Sequence, residues 1–131
     1  MEKRLIGGQR MRELGSTRHT DDLDYLVYDE SDSRLFIKSW LSDFINAAQH
    51  PFYQEIWNLG TVTAQAMLEM AAFTFVQHCM NGNFDKADTK EYDIKYLVRV
   101  IGRDAKVELV KKYITNGQEN EVRNIIASVK F

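Results

Sequence analysis

The stretch from Thr61 to Met80 does most to limit what this chain can become. Ala64, Met67, Leu68, Ala71, Phe75 and Cys79 keep the i, i+3, i+4 spacing of a helix. Met70, Phe73 and Val76 add apolar side chains off that stripe. A helix that is apolar on most sides has to be surrounded, so this one belongs in the middle of the structure. Gln65, Glu69, Gln77 and His78 interrupt the run, which argues for a buried helix and against a membrane span. Thr61 or Thr63 is placed to cap its start, and Asn81-Gly82-Asn83 to close it.

The remaining pattern is read around that helix. Ile94, Leu97, Val98 and Ile101 mark a second helix from about Thr89, ended by Gly102. Val107, Val110 and Ile114 predict a third, closed by Asn116-Gly117, and Val122, Ile125, Ile126 and Val129 a fourth. Upstream, residues 9–14 predict a short helix, and Leu23 to Tyr28 a strand rich in β-formers. Residues 29–33 read as a turn leading to a second strand, Arg34 to Lys38, its expected hairpin partner. Trp40 to Ala47 fits either a short helix or a third strand, and Pro51 falls in a connection. Strands come first and helices follow. The expected class is α+β: a small sheet, then a C-terminal set of about four helices. With 131 residues the chain fits a single domain, its sheet part reaching about residue 60 and its helical part filling the rest.

Composition narrows the function classes. A hydrophobic content of 44% with 27% charged residues is that of an ordinary globular protein. A net charge of −2 gives no general reason to expect nucleic-acid binding. Arg4, Arg10, Arg12 and Arg18 do gather near Gly7-Gly8, as a local basic patch or as a solvated helix face. The single cysteine, Cys79, excludes a disulfide within the chain and reads as a small buried hydrophobe. No signal peptide is legible, so the expected location is the cytoplasm, with no membrane partner. His19, His50 and His78 are scattered without zinc-site spacing. Trp40, Trp57 and Phe52 read as core more than as a stacking platform.

The chemistry is concentrated near the start. Asp22 and Asp24 open the first strand, and residues i and i+2 of a strand share a face. Two carboxylates projecting side by side suit Mg²⁺, which takes one or two carboxylates together with substrate phosphates. Gly7-Gly8 lies thirteen residues upstream, where bare backbone allows a phosphate to approach closely. The alternative is an incidental Asp-x-Asp at a strand start.

Ile6-Gly7-Gly8, the thirteen-residue gap and Asp22-Leu23-Asp24-Tyr25 together resemble the signature of the DNA polymerase β-like nucleotidyltransferases. The stretch from Gly7 to Asp24 is most similar to their small bacterial branch that contains the AbiEii-type toxins. The resemblance implies a mixed sheet of the nucleotidyltransferase type and a Mg²⁺-dependent transfer of NMP from an NTP to an RNA, protein or small-molecule acceptor. A setting in toxin–antitoxin systems or phage defence goes with it. It implies Asp22 and Asp24 as metal ligands, Gly7 and Gly8 around the triphosphate, and Ser16 or Arg18 as a phosphate contact. It also implies a third carboxylate on a later strand, for which Asp43 is the candidate; the plainer reading of Asp43 is a cap or turn residue. Asp93 matches an aspartate that this branch carries in the helix after the long one. The lysine expected in the long helix aligns with Ala71, which leaves a second reading open: a catalytically impaired relative that binds nucleotides or another protein. Relatives also carry a helix before the glycine motif, where this chain has six residues. Its absence implies a homodimer covering the bare surface.

Overall fold

The computed structural model describes residues 2–18, 20, 23–31, 34–38 and 42–131, the side chain of Lys38 excepted. Asp22, His19 and Trp40 of the sequence analysis lie outside the described residues. The class is α+β, with a small mixed four-stranded sheet. The chain divides into two compact units, Met1–Thr63 and Ala64–Phe131.

The first unit holds the sheet. Strand β1 (Lys3–Ile6) runs straight into helix α1 (Gly7–Glu13). Strands β2 (Leu23–Val27), β3 (Phe36–Lys38) and β4 (Ser42–Asn46) follow, then helix α2 (Pro51–Asn58). The strand order is β1-β2-β4-β3, with β2 and β4 parallel and both outer pairings antiparallel. Thus β3 is not the hairpin partner of β2: β4 lies between them. Asn46 supplies a physical reason. Its side chain is fully buried and needs polar partners, and it finds them just past the end of β2. Its Oδ1 accepts from the amides of Asp29 (3.0 Å) and Ala48 (3.1 Å), and its Nδ2 donates to the Asp29 carbonyl at 2.8 Å. The ambiguous stretch around residues 42–46 is therefore a strand.

Two elements were not expected. β1 is four residues long, too short for a periodicity to register. α2 begins at Pro51, a residue that reads as a break but is pre-set for the first helical position. His50 caps it, its Nδ1 accepting from the Phe52 amide at 3.1 Å. Phe52, Tyr53 and Ile56 of α2 are buried, as are Met11, Leu26 and Val27.

The second unit is helical. Helix α3 (Ala64–Met80) is buried without a break from Ala66 to Phe73, as its all-round apolar pattern requires. Helix α4 (Phe84–Ile101) starts a turn and a half earlier than Thr89 and packs along α3. The expected helix over Val107 to Ile114 is instead a single 3-10 turn, Val110–Tyr113. Glu69 accounts for it. This buried α3 carboxylate accepts from the backbone amides of Glu108 (3.1 Å), Leu109 (2.9 Å) and Val110 (3.2 Å). Those amides are turned onto a side chain and so do not extend a helix backwards. Asn116-Gly117 opens the last helix, α5 (Asn116–Ala127), and does not close the one before it. A capping box explains the start: the Gln118 amide donates to Thr115 Oγ1 (3.2 Å) and the Thr115 amide to Gln118 Oε1 (2.8 Å). Among the described residues no helix is long and apolar enough to cross a membrane.

Candidate functional site

Parallel pairing of β2 with β4 sets Asp24 directly opposite Asp43, each the second residue of its strand. Registered neighbours in a sheet share a face, with strands about 4.8 Å apart. The two carboxylates therefore stand side by side at the same end of the sheet. Alternation sends the next pair to the other face, where the rings of Tyr25 and Phe44 stack at 5.6 Å between centroids. The Lys3 ammonium lies 4.5 Å over the Tyr25 ring. Both sides of Tyr25 are thus occupied, which fixes the strand pair that carries the acids.

Gly7 meets this pair from β1. Ile6, the last residue of β1, is the register partner of Asp24, so the chain turns into α1 right beside that carboxylate. Gly7 has φ +69°, a left-handed conformation that favours glycine. A Cβ at Gly7 would fall 2.5 Å from Asp24 Oδ2. The Asp24 carboxylate thus lies against bare backbone in space that no other residue type leaves open.

Gly8 is crowded in the same way by a different partner. A Cβ there would fall 2.6 Å from Thr20 Cγ2 and 2.7 Å from Thr20 Oγ1. Gln9 holds that loop in place, its Nε2 donating to the Thr20 carbonyl at 3.0 Å. Sequence reasoning missed Thr20. The available signal was Gly8 itself: glycine inside a helix costs about 1 kcal/mol relative to alanine, which points to a close approach.

The other expected residues divide. Asp22 lies outside the described residues, so the pair Asp22–Asp24 has no geometry here. Ser16 is buried and its Oγ accepts from the Arg18 amide at 3.3 Å, while its own amide donates to the Met11 carbonyl at 3.0 Å. That is a loop-shaping role. Asp93 belongs to the second unit, buried in α4 with Lys90 Nζ at 3.9 Å. Ala71 is buried in α3.

Two of the four clustered arginines are structural. Arg4 lies 3.7 Å over the Trp57 ring and donates to the Trp57 carbonyl at 2.5 Å. Arg10 grips the Val62 carbonyl with Nε (3.1 Å) and Nη2 (2.6 Å) and pairs with Glu13 at 2.9 Å. An open cleft of about 460 Å³ is lined by both, with Glu2, Glu13 and residues 60–62 among its walls. Gly7, Gly8 and Asp24 are not part of it. Trp57, under the Arg4 guanidinium, is packed and not a free stacking surface.

Three groups away from the acid pair carry shifted pKa values. Burial lowers the pKa of His50, and burial followed by the charges of Lys90 and Lys86 lowers that of His78. Burial, then Glu121, Asp88 and Glu91, raises that of the Cys79 thiol, which suits an unreactive side chain. Comparison with protein-family models, with curated proteins and with solved structures returns no match to this chain.

Among the described residues no cluster of three His, Cys, Asp or Glu side chains is available to a metal ion. Asp24 and Asp43 form a pair of hard oxygen donors on one face of the sheet. That donor set fits Mg²⁺, which keeps several waters and takes only one or two carboxylates beside substrate phosphates.

Proposed function

We propose that this chain is a Mg²⁺-dependent nucleotidyltransferase of the DNA polymerase β-like type, transferring NMP from an NTP to an RNA, protein or small-molecule acceptor. One observation carries the reading: Asp24 and Asp43 stand in register on parallel strands while the Asp24 carboxylate rests on the bare Cα of Gly7. The order glycine, first acid, strand-mate acid is the one that the motif resemblance implies.

In this reading Asp24 and Asp43, with Asp22 by resemblance, hold Mg²⁺, and Gly7-Gly8 leaves room for the phosphates. A bound Mg²⁺ would neutralise charge building up on the phosphate oxygens. Asp43 accepts the proton of the acceptor hydroxyl. That oxygen bonds to the α-phosphorus, the bond from phosphorus to the bridging oxygen breaks, and pyrophosphate leaves. Positioning and charge neutralisation supply most of the rate in such chemistry.

Ala71 favours a second reading, a relative that binds nucleotide without transferring it. A lysine at that position would supply a cation, and a buried alanine does not. Calorimetric titration of ATP, GTP, CTP and UTP with and without Mg²⁺ tests what the readings share. Binding that requires Mg²⁺ and disappears in Asp24→Asn supports both. Incorporation of α-labelled NMP into acceptor, or release of pyrophosphate, then separates enzyme from binder. Absence of Mg²⁺-dependent binding for all four nucleotides removes both.

A further inference from the structure

We propose that Thr20 is the phosphate-positioning hydroxyl of this site, and that residue 8 is glycine because any side chain there would evict it. The inference rests on the nucleotide-binding reading and names a residue which that reading does not use.

Three observations support it. First, the Thr20 side chain fills the volume that a residue-8 side chain would need, with Cγ2, Cβ and Oγ1 all within 2.7 Å of the Cβ position. Threonine at 20 and a side chain at 8 are mutually exclusive. Second, Thr20 is held there: Gln9 Nε2 binds its carbonyl, and the start of the loop is pinned by the Ser16 amide on the Met11 carbonyl. Third, among the described residues the Thr20 hydroxyl has no hydrogen-bond partner. No buried side-chain oxygen among the described residues lacks a partner, so this hydroxyl is open to solvent, where a phosphate oxygen can replace water as its acceptor.

The location selects the acceptor. Gly7 and Gly8 are consecutive, so the Asp24 carboxylate and the Thr20 hydroxyl flank a single peptide. A phosphate held beside Asp24 would lie next to that peptide and within reach of the Thr20 hydroxyl. Thr20 then donates to one of the phosphate oxygens. Glycine at 7 accommodates the acid and glycine at 8 accommodates the hydroxyl, which gives each residue of the pair its own purpose.

The test uses the full chain and two probes: the NTP that binds wild type most tightly, and inorganic tripolyphosphate, both with Mg²⁺. Thr20→Val keeps the shape and removes the hydroxyl. A lost hydrogen bond to a charged group weakens binding by about tenfold or more. Thr20→Val is expected to show that loss on both probes, Thr20→Ser to stay within about threefold of wild type, and Gly8→Ala to behave like Thr20→Val. Should valine perturb the loop, Thr20→Ala reads the same loss with less bulk. A Thr20 that only packs against Gly8 would shift the melting temperature and leave affinity alone. If Thr20→Val binds like wild type while Asp24→Asn does not bind, the role of Thr20 is overturned and the nucleotide site stands. If Thr20→Ser is as weak as Thr20→Val, the hydroxyl is not the cause and the inference also falls. If wild type binds neither probe, this inference and the reading beneath it fall together.

Discussion

Replacing Glu69 by alanine should cost the helical unit more than any surface change, and the size follows from three amides. Glu69 is 2% exposed, and its carboxylate accepts from Glu108, Leu109 and Val110. The Val110 amide is buried, while those of Glu108 and Leu109 are part-buried, so water can replace the carboxylate at the latter two. Allowing about 2–3 kcal/mol for the amide left dry and about 1 kcal/mol for each of the others gives about 4–5 kcal/mol. At about 4–8 °C per kcal/mol for a unit of this size, that corresponds to a fall in melting temperature of roughly 16–40 °C. Urea unfolding followed by helical circular dichroism measures it directly, provided the slope stays unchanged. Glu69→Gln should fall between, because its amide retains one acceptor oxygen and turns a donor toward donors. Gln65→Ala is the comparison: Gln65 lies 3.4 Å from the same carboxylate and donates to the exposed Lys106 carbonyl at 2.8 Å, which water can replace, so its loss should cost about 1 kcal/mol. A loss below about 1 kcal/mol for Glu69→Ala would refute the idea that this carboxylate organises residues 108–110.

Gly7→Ala should destabilise the sheet unit by about 1–3 kcal/mol, because a left-handed backbone and a 2.5 Å contact with Asp24 both oppose the methyl group; melting and Mg²⁺-nucleotide titration should both register it. For His50 the sign is fixed by burial, which lowers its pKa in the folded state below about 6.5, the unfolded value. The unfolded chain then binds the proton more readily, so the stability that the neutral cap contributes is intact above that value. It is lost as pH falls from there through the lowered folded pKa. Melting curves from pH 7.5 to 5 should show this, and His50→Asn, a capping residue without a titration, should flatten its share of the slope.

The sequence was readable where a period was long. The all-round apolar run of α3 predicted burial, and Ala66 to Phe73 is buried throughout. It was unreadable where one distant partner decides the outcome. Nothing local says that Asn46 will bind Asp29 and draw β4 between β2 and β3, or that Glu69 will reach forward 39 residues to the Glu108 amide and stop a helix. Pro51 and Asn116-Gly117 were read as breaks because both residue types also begin helices, and only the cap partner separates the two cases. At the candidate site, the strand that carries Asp24 was legible from its run of β-formers, whereas β1 was not and Thr20 is visible only through its contact with Gly8. The arginine cluster looked electrostatic in sequence. Arg4 and Arg10 turn out to be braces on backbone carbonyls.

The strand order also has a consequence for how the sheet comes into being. β4 is the last strand to leave the ribosome, yet it sits inside the sheet, bonded to β2 on one side and β3 on the other. Until it arrives, β3 has no neighbour and β2 is half-paired. β3 and β4 lie close in sequence and pair antiparallel, so the late-made part of the sheet is a local hairpin that joins the free edge of β2 through its second strand. Asp24 and Asp43 meet only when β4 joins β2, so neither the β1–β2 pair nor the β3–β4 hairpin carries the acid pair by itself.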